Sequence, residues 1–179
     1  MIMPPSVRKC ALAVHLTSSV GWIGAVVAYL ALGLAAANSQ EPETVRGAWI
    51  AMELTGWYVI VPMALISLVT GLVMALGTRW GLFRYYWVLF ALVLTTLANV
   101  ILLLHMPSVS ALADRAREAT GPDPPDLGGD LFHASLALLV LLGIQALNLY
   151  KPPGMTRYGW RKQTEERGKR ARQRRIPVS

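Results

Sequence analysis

Four stretches of this chain hold no Asp, Glu, Lys or Arg: Cys10 to Gln40, Leu54 to Thr78, Tyr85 to Ala113 and Leu131 to Tyr150. Crossing a hydrocarbon core about 30 Å thick takes roughly 20 apolar helical residues, because every backbone N–H and C=O must be satisfied without water. Each stretch is long enough, the last one barely. A soluble bundle would need a polar face on every helix, and Leu136 to Gly143 offers none. The expected fold is therefore all-α, a four-transmembrane-helix bundle with spans near residues 10–37, 54–77, 83–106 and 131–150. These spans form one membrane domain over residues 1–150, and residues 151–179 are a basic tail, disordered or lying on the membrane surface.

Orientation follows from where the positive charge lies. The formal charge of +7 is concentrated in the tail, where ten Lys and Arg face only Glu165 and Glu166. Arg8 and Lys9, Arg79 and Arg84, and the tail all fall on one side of a four-span topology, and together they hold fourteen of the seventeen basic residues. The opposite side, Asn38 to Glu53 and Pro107 to Asp130, holds Arg46, Arg115 and Arg117 against eight acidic residues. By the positive-inside rule both termini and the Arg79 to Arg84 turn are cytoplasmic, in a bacterial cytoplasmic membrane. Ala35, Ala36 and Ala37 resemble a signal cleavage site, but the preceding apolar run is longer than the 7 to 15 residues or so of a signal h-region. The first span is expected to stay in place.

Within the spans, Gly21 with Ala25 and Gly24 with Ala28 form small-xxx-small pairs expected to rest on another helix. Pro62 should kink the second span or lean on a neighbour for its lost hydrogen bond. Trp80, Tyr85, Tyr86 and Trp87 form an aromatic belt at one interface. Ala111 to Asp130 begins amphipathically and then, through Gly121, Pro122, Pro124, Pro125, Gly128 and Gly129, becomes an outward loop capped by Asp130. The single cysteine, Cys10, excludes an internal disulfide and any multi-cysteine cluster. The chain has no P-loop, Rossmann glycine pattern or nucleophile elbow, so soluble enzyme chemistry has no foothold.

Chemistry can reside only in the few ionisable groups near membrane depth, which are functional candidates by default: His15, His105, His133 and Glu53. At 1.5 Å per helical residue, His15 lies about 9 Å beyond Lys9, whereas His133 lies about 27 Å from Lys151 and His105 about 31 Å from Arg84. His105 and His133 thus reach similar depths near the far face, and His15 cannot share a ligand atom with His133 in straight helices. Glu53 lies about 39 Å from Arg79, within reach of that pair if its helix tilts or kinks. Two imidazoles and a carboxylate can hold zinc or copper(II), and two imidazoles can hold a haem iron. The plainer reading is that each histidine hydrogen-bonds to carbonyls, headgroups or water, and that Glu53 is a solvated interfacial carboxylate. On the first helix His15, Ser18, Ser19, Trp22, Tyr29 and Gly33 share one face, which should point into the bundle.

Leu12-Ala-Val-His15, followed by Gly21-Trp-Ile-Gly24, together with the Trp87 to His105 span and the Tyr150-Lys-Pro ending, resembles a superfamily of small bacterial membrane proteins. It includes the copper-resistance protein D family, the HemJ-type protoporphyrinogen oxidases and several uncharacterised families. The resemblance covers roughly residues 10–150 and implies a bundle that binds haem b or handles copper, His15 matching the first-helix histidine of the pattern. HemJ-type proteins also carry a lysine in the third membrane helix. Here no lysine occurs between Arg84 and Asp114, and Phe90 stands where it would be sought, which argues against that activity.

Two functional expectations result. One is a haem- or metal-binding membrane protein using His105 and His133, with Glu53 as a further metal ligand and His15 as a separate cofactor ligand. The other is a non-enzymatic interaction or scaffold protein without cofactor, its self-association left open. Besides the lipid bilayer, the expected partner of the tail is anionic headgroups, and nucleic acid is not expected, because no aromatic residue follows Trp160 to stack on a base.

Overall fold

The computed structural model describes residues 3–78, 81–121 and 130–174. Its helices are α1 (Pro5–Asn38), α2 (Pro42–Thr55), α3 (Val61–Gly77), α4 (Tyr86–Glu118), α5 (Leu131–Tyr150) and α6 (Arg157–Arg174), with no strand among the described residues. A single π-turn, Gly56–Ile60, joins α2 to α3 in one continuous stretch, Pro42–Gly77. Four helices long and apolar enough to cross a membrane result: Pro5–Asn38, Pro42–Gly77, Tyr86–Glu118 and Leu131–Tyr150. Trp80 and the proline and glycine run from Pro122 to Gly129 lie outside the described residues.

The π-turn is the local answer to Pro62. Proline lacks an N–H and its ring crowds the carbonyl four residues back, so a regular α-helix cannot pass it undisturbed. Here the turn before it widens, and Val61 N–H bonds to the Gly56 carbonyl, five residues back. Pro107 is handled differently: α4 continues through it to Glu118 instead of opening into a loop. One lost hydrogen bond is outweighed because Met106, Val109, Ala113 and Ala116 are all buried on the face that α4 turns toward α2. The matching residues of α2 are Val45, Ala48, Trp49 and Met52. At 33 residues α4 is about 50 Å long, so it projects beyond a hydrocarbon core of about 30 Å.

The core runs along the bundle axis and includes Trp22, Val26 and Tyr29 of α1, Ala64 of α3, Met106 of α4, and Ala134, Leu141 and Ile144 of α5. Ser18, Trp22, Tyr29 and Gly33 of the small and polar α1 face are buried. Gly21 faces Met63 of α3, with 3.4 Å between a built Cβ and Sδ, but Gly24 and Ala28 point outward. The outside is covered by large apolar side chains such as Val20, Phe90, Leu104 and Leu139, the surface that lipid solvates.

At the end rich in basic residues three segments are tied together. Met3 N–H bonds to the Gly77 carbonyl at 3.1 Å, Tyr86 N–H to the Gly154 carbonyl at 3.2 Å, and Thr156 N–H to the Arg84 carbonyl at 3.0 Å. Lys151, in the left-handed region at φ 45°, ends α5 before Pro152 and Pro153. The tail then forms α6, Arg157–Arg174. Its start is fixed by the Thr156 hydroxyl, which bonds to the Phe83 carbonyl and accepts from Gly159 N–H at 3.0 Å, and an Arg84 to Glu166 ion pair at 3.1 Å ties its next turns to the α3–α4 turn.

Candidate metal centre

His105 belongs to the long α4, His133 to the first turn of α5, and Asp130 immediately precedes α5. Asp130 stands at the helix start yet does not cap it: no side-chain bond reaches the backbone there. Its oxygens are committed elsewhere. Oδ2 accepts from His105 Nε2 at 2.6 Å and from the Tyr29 hydroxyl at 2.9 Å, and Oδ1 accepts from His133 Nδ1 at 3.1 Å. The two imidazoles stack, with centroids 4.3 Å apart and planes 25° from parallel. Phe132 meets the edge of the His133 ring at 5.6 Å.

One carboxylate therefore joins α1, α4 and α5. Burial works against charge on Asp130, but the hydrogen bonds from His105 and Tyr29 and the adjacent imidazoles outweigh it, and its carboxyl is held below the ordinary value. Ligand atoms of His105, Asp130 and His133 all lie within 4.8 Å of one another, close enough to converge on a single cation. Asp130 side-chain exposure is 7% against 55% for His133, so the carboxylate is sheltered while one imidazole remains open to approach.

Of the residues singled out in the sequence, His105 and His133 come together. Glu53 does not join them: it is paired with Arg117, which also holds Asp114 at 2.7 Å. The carboxylate beside the histidines is Asp130, which the sequence suggested only as a loop cap. The available signal was its spacing, since Asp130 and His133 are three residues apart at a helix start, one turn of the same face. Tyr29 was recognised as part of an inward face but not as a partner of Asp130.

His15 lies apart, about 21 Å along α1 from Tyr29 at the helical rise. Its Nδ1 is 3.1 Å from the Ser67 carbonyl and 3.0 Å from the Thr70 hydroxyl of α3. Ser19 and Ser67 share a 2.8 Å hydroxyl bond beside it. Gly71 gives the ring its room, because a Cβ there would stand 3.1 Å from His15 Cε1.

Four apolar spans packed around an apolar core define an integral membrane protein of the helical-bundle class. The chain belongs to the family described as "predicted integral membrane protein (DUF2269)", whose pattern matches residues 10–152. That match covers the four spans and does not carry the more distant resemblance to copper-resistance protein D and HemJ-type proteins. Neither the curated proteins nor the solved structures give a match.

Proposed function

We propose that this protein binds a divalent transition-metal ion in a bacterial cytoplasmic membrane, through His105, Asp130 and His133, at the end facing away from the cytoplasm. The observation that carries the reading is the convergence of two imidazoles and one carboxylate within 4.8 Å. Two nitrogens and one oxygen suit zinc or copper(II), and both metals leave a coordination position for water or an exchanging ligand. Binding would displace protons now shared between the imidazoles and Asp130, so affinity should rise with pH. Tyr29 would remain as the partner that orients the carboxylate. Stacked at 4.3 Å, the rings present their nitrogens side by side rather than toward each other across a porphyrin, which favours a single small ion over haem at this end.

The basic end, with α6, is proposed to face the cytoplasm, where anionic headgroups attract Lys and Arg at about 1 kcal/mol each near the surface. A second reading of the cluster is a structural tie in a protein without cofactor, favoured by the three donors that already satisfy Asp130.

Metal analysis and zinc or copper(II) titration of detergent-purified protein separate the two. The metal reading expects one ion per chain, lost in His105→Ala and His133→Ala. Protein that takes up neither metal, while Asp130→Ala still lowers its melting temperature, would establish the tie instead.

A further inference from the structure

A cavity of about 880 Å³ opens among α1, α3, α4 and α5 in the basic half of the bundle. Its walls are largely aliphatic, with Leu12, Leu16, Leu68, Leu92 and Leu149. Arg8, Lys9 and Lys151 line it, and no Asp or Glu among the described residues does. The positive charge belongs to the end where headgroups would lie, while the leucines continue toward the membrane interior.

Two residues that line it each have one polar atom that makes no hydrogen bond among the described residues. Thr78 lines the cavity, and its Oγ1 is buried with no hydrogen bond. His15 also lines it, and its tautomer follows from its neighbours. A carbonyl cannot donate, so the contact with Ser67 places the proton on Nδ1 and leaves a lone pair on Nε2. Thr78 thus offers a donor near the charged residues, and His15 an acceptor about 9 Å deeper than Lys9 along α1.

We infer that this cavity is a binding site for an acyl-chain amphiphile with an anionic head, drawn from the leaflet at the basic end of the bundle. The carboxylate or phosphate sits with Arg8 and Lys9 and accepts from the Thr78 hydroxyl. The chain runs along the leucine walls, and His15 Nε2 accepts from a hydroxyl or a water held beside the bound molecule. Charge complementarity and apolar depth together select this class: a neutral lipid offers Arg8 and Lys9 no counter-charge, and a small water-soluble anion leaves the leucine walls unfilled.

The test uses the full chain in a neutral detergent, with bound molecules counted by native mass spectrometry. Dioleoyl phosphatidylglycerol and oleate are the anionic probes, and dioleoyl phosphatidylcholine is the neutral control. The expected result is one tightly held anionic molecule per chain, preferred over phosphatidylcholine by about tenfold or more. Retention of phosphatidylglycerol alone identifies a phospholipid ligand, and retention of oleate alone a free fatty acid. Arg8→Gln with Lys9→Gln should reduce the preference. Leu16→Trp, which fills the cavity without touching charge, should abolish the tightly held molecule while leaving looser binding at α6 intact. Equal retention of phosphatidylcholine, or unchanged stoichiometry in Leu16→Trp, would overturn the assignment. A Soret band lost in His15→Ala would overturn it too, by giving the cavity to a metalloporphyrin. None of these outcomes depends on the metal at the opposite end.

Discussion

The carboxylate of Asp130, at the entrance to α5, accepts a 2.6 Å hydrogen bond from His105 Nε2 on α4. The contact spans 25 positions of sequence and links two membrane helices at one end of the bundle. Because Tyr29 joins the same oxygen from α1, the pair is the centre of a three-helix junction rather than an isolated surface bridge.

Removing the negative charge there should be costly. Asp130→Asn leaves a buried amide that must face donors from His105, Tyr29 and His133 with one oxygen instead of two. Hydrogen bonds to charged groups contribute about 1.5–3 kcal/mol each, so a loss of roughly that size is expected. It would be measured as a lower melting temperature in detergent. A variant melting with the wild type would mean that the junction is not formed in the membrane.

The same group sets a pH dependence. Its folded carboxyl lies below the ordinary value of about 4, so the stabilisation is fully present above that value. It is lost as pH falls through the depressed folded value. The carboxylate's own share of the stability difference between wild type and Asp130→Asn should therefore shrink as pH falls into the acid range. Melts taken from pH 6 down to about pH 3 would show it. A gap that closes instead as pH rises above neutrality would assign the effect to the imidazoles, whose protonated form is the one that pairs with Asp130 as an ion.

Most of the bundle is legible in the sequence because hydrocarbon imposes a one-dimensional rule, and a charge-free run of sufficient length has few alternatives. The helix ends are less so. Pro107 looked like a boundary, yet side-chain packing of Met106 and Val109 carries α4 past it, and that packing depends on α2, which is remote in sequence. For the site, depth counting brought His105 and His133 to one level but could not choose their carboxylate. Rise along a helix gives height and says nothing of which side a residue faces. Glu53 has nearly the right height and pairs with Arg117, while Asp130 needed the position of α5 against α1 and α4 to be known.

That choice is itself testable. Glu53→Gln should leave zinc or copper(II) binding unchanged, since its partner is Arg117 and not the histidines. Its effect on stability should also be small, because partly exposed ion pairs contribute little. A loss of metal from Glu53→Gln equal to that from His133→Ala would move the carboxylate ligand from Asp130 back to Glu53.

Orientation has a direct measurement. Fourteen of seventeen basic residues on one side leave the insertion machinery little freedom. Reporter fusions after Ser39 and Gly121 should report the outside, and fusions after Gly81 and Ser179 the cytoplasm. A cytoplasmic signal from the Gly121 fusion would invert the assignment of both ends.

The close approach of α6 to the Arg84 backbone requires a glycine at position 159. A Cβ on Gly159 would run into the Arg84 carbonyl oxygen and stand 3.2 Å from its carbon, and these are backbone atoms that cannot rotate away. Gly159→Ala should therefore loosen α6 from the α3–α4 turn, breaking the Thr156 bonds to Phe83 and Arg84 along with it. Gly168→Ala is the matched control, since nothing lies within 4 Å of a Cβ there and alanine favours helix over glycine by about 1 kcal/mol. Limited trypsin digestion of the protein in detergent reads the difference at Arg157 and Arg161. Cleavage should be faster in Gly159→Ala and no faster than wild type in Gly168→Ala, with the four spans intact in both. Equal cleavage of Gly159→Ala and wild type would show that α6 is not held by this contact.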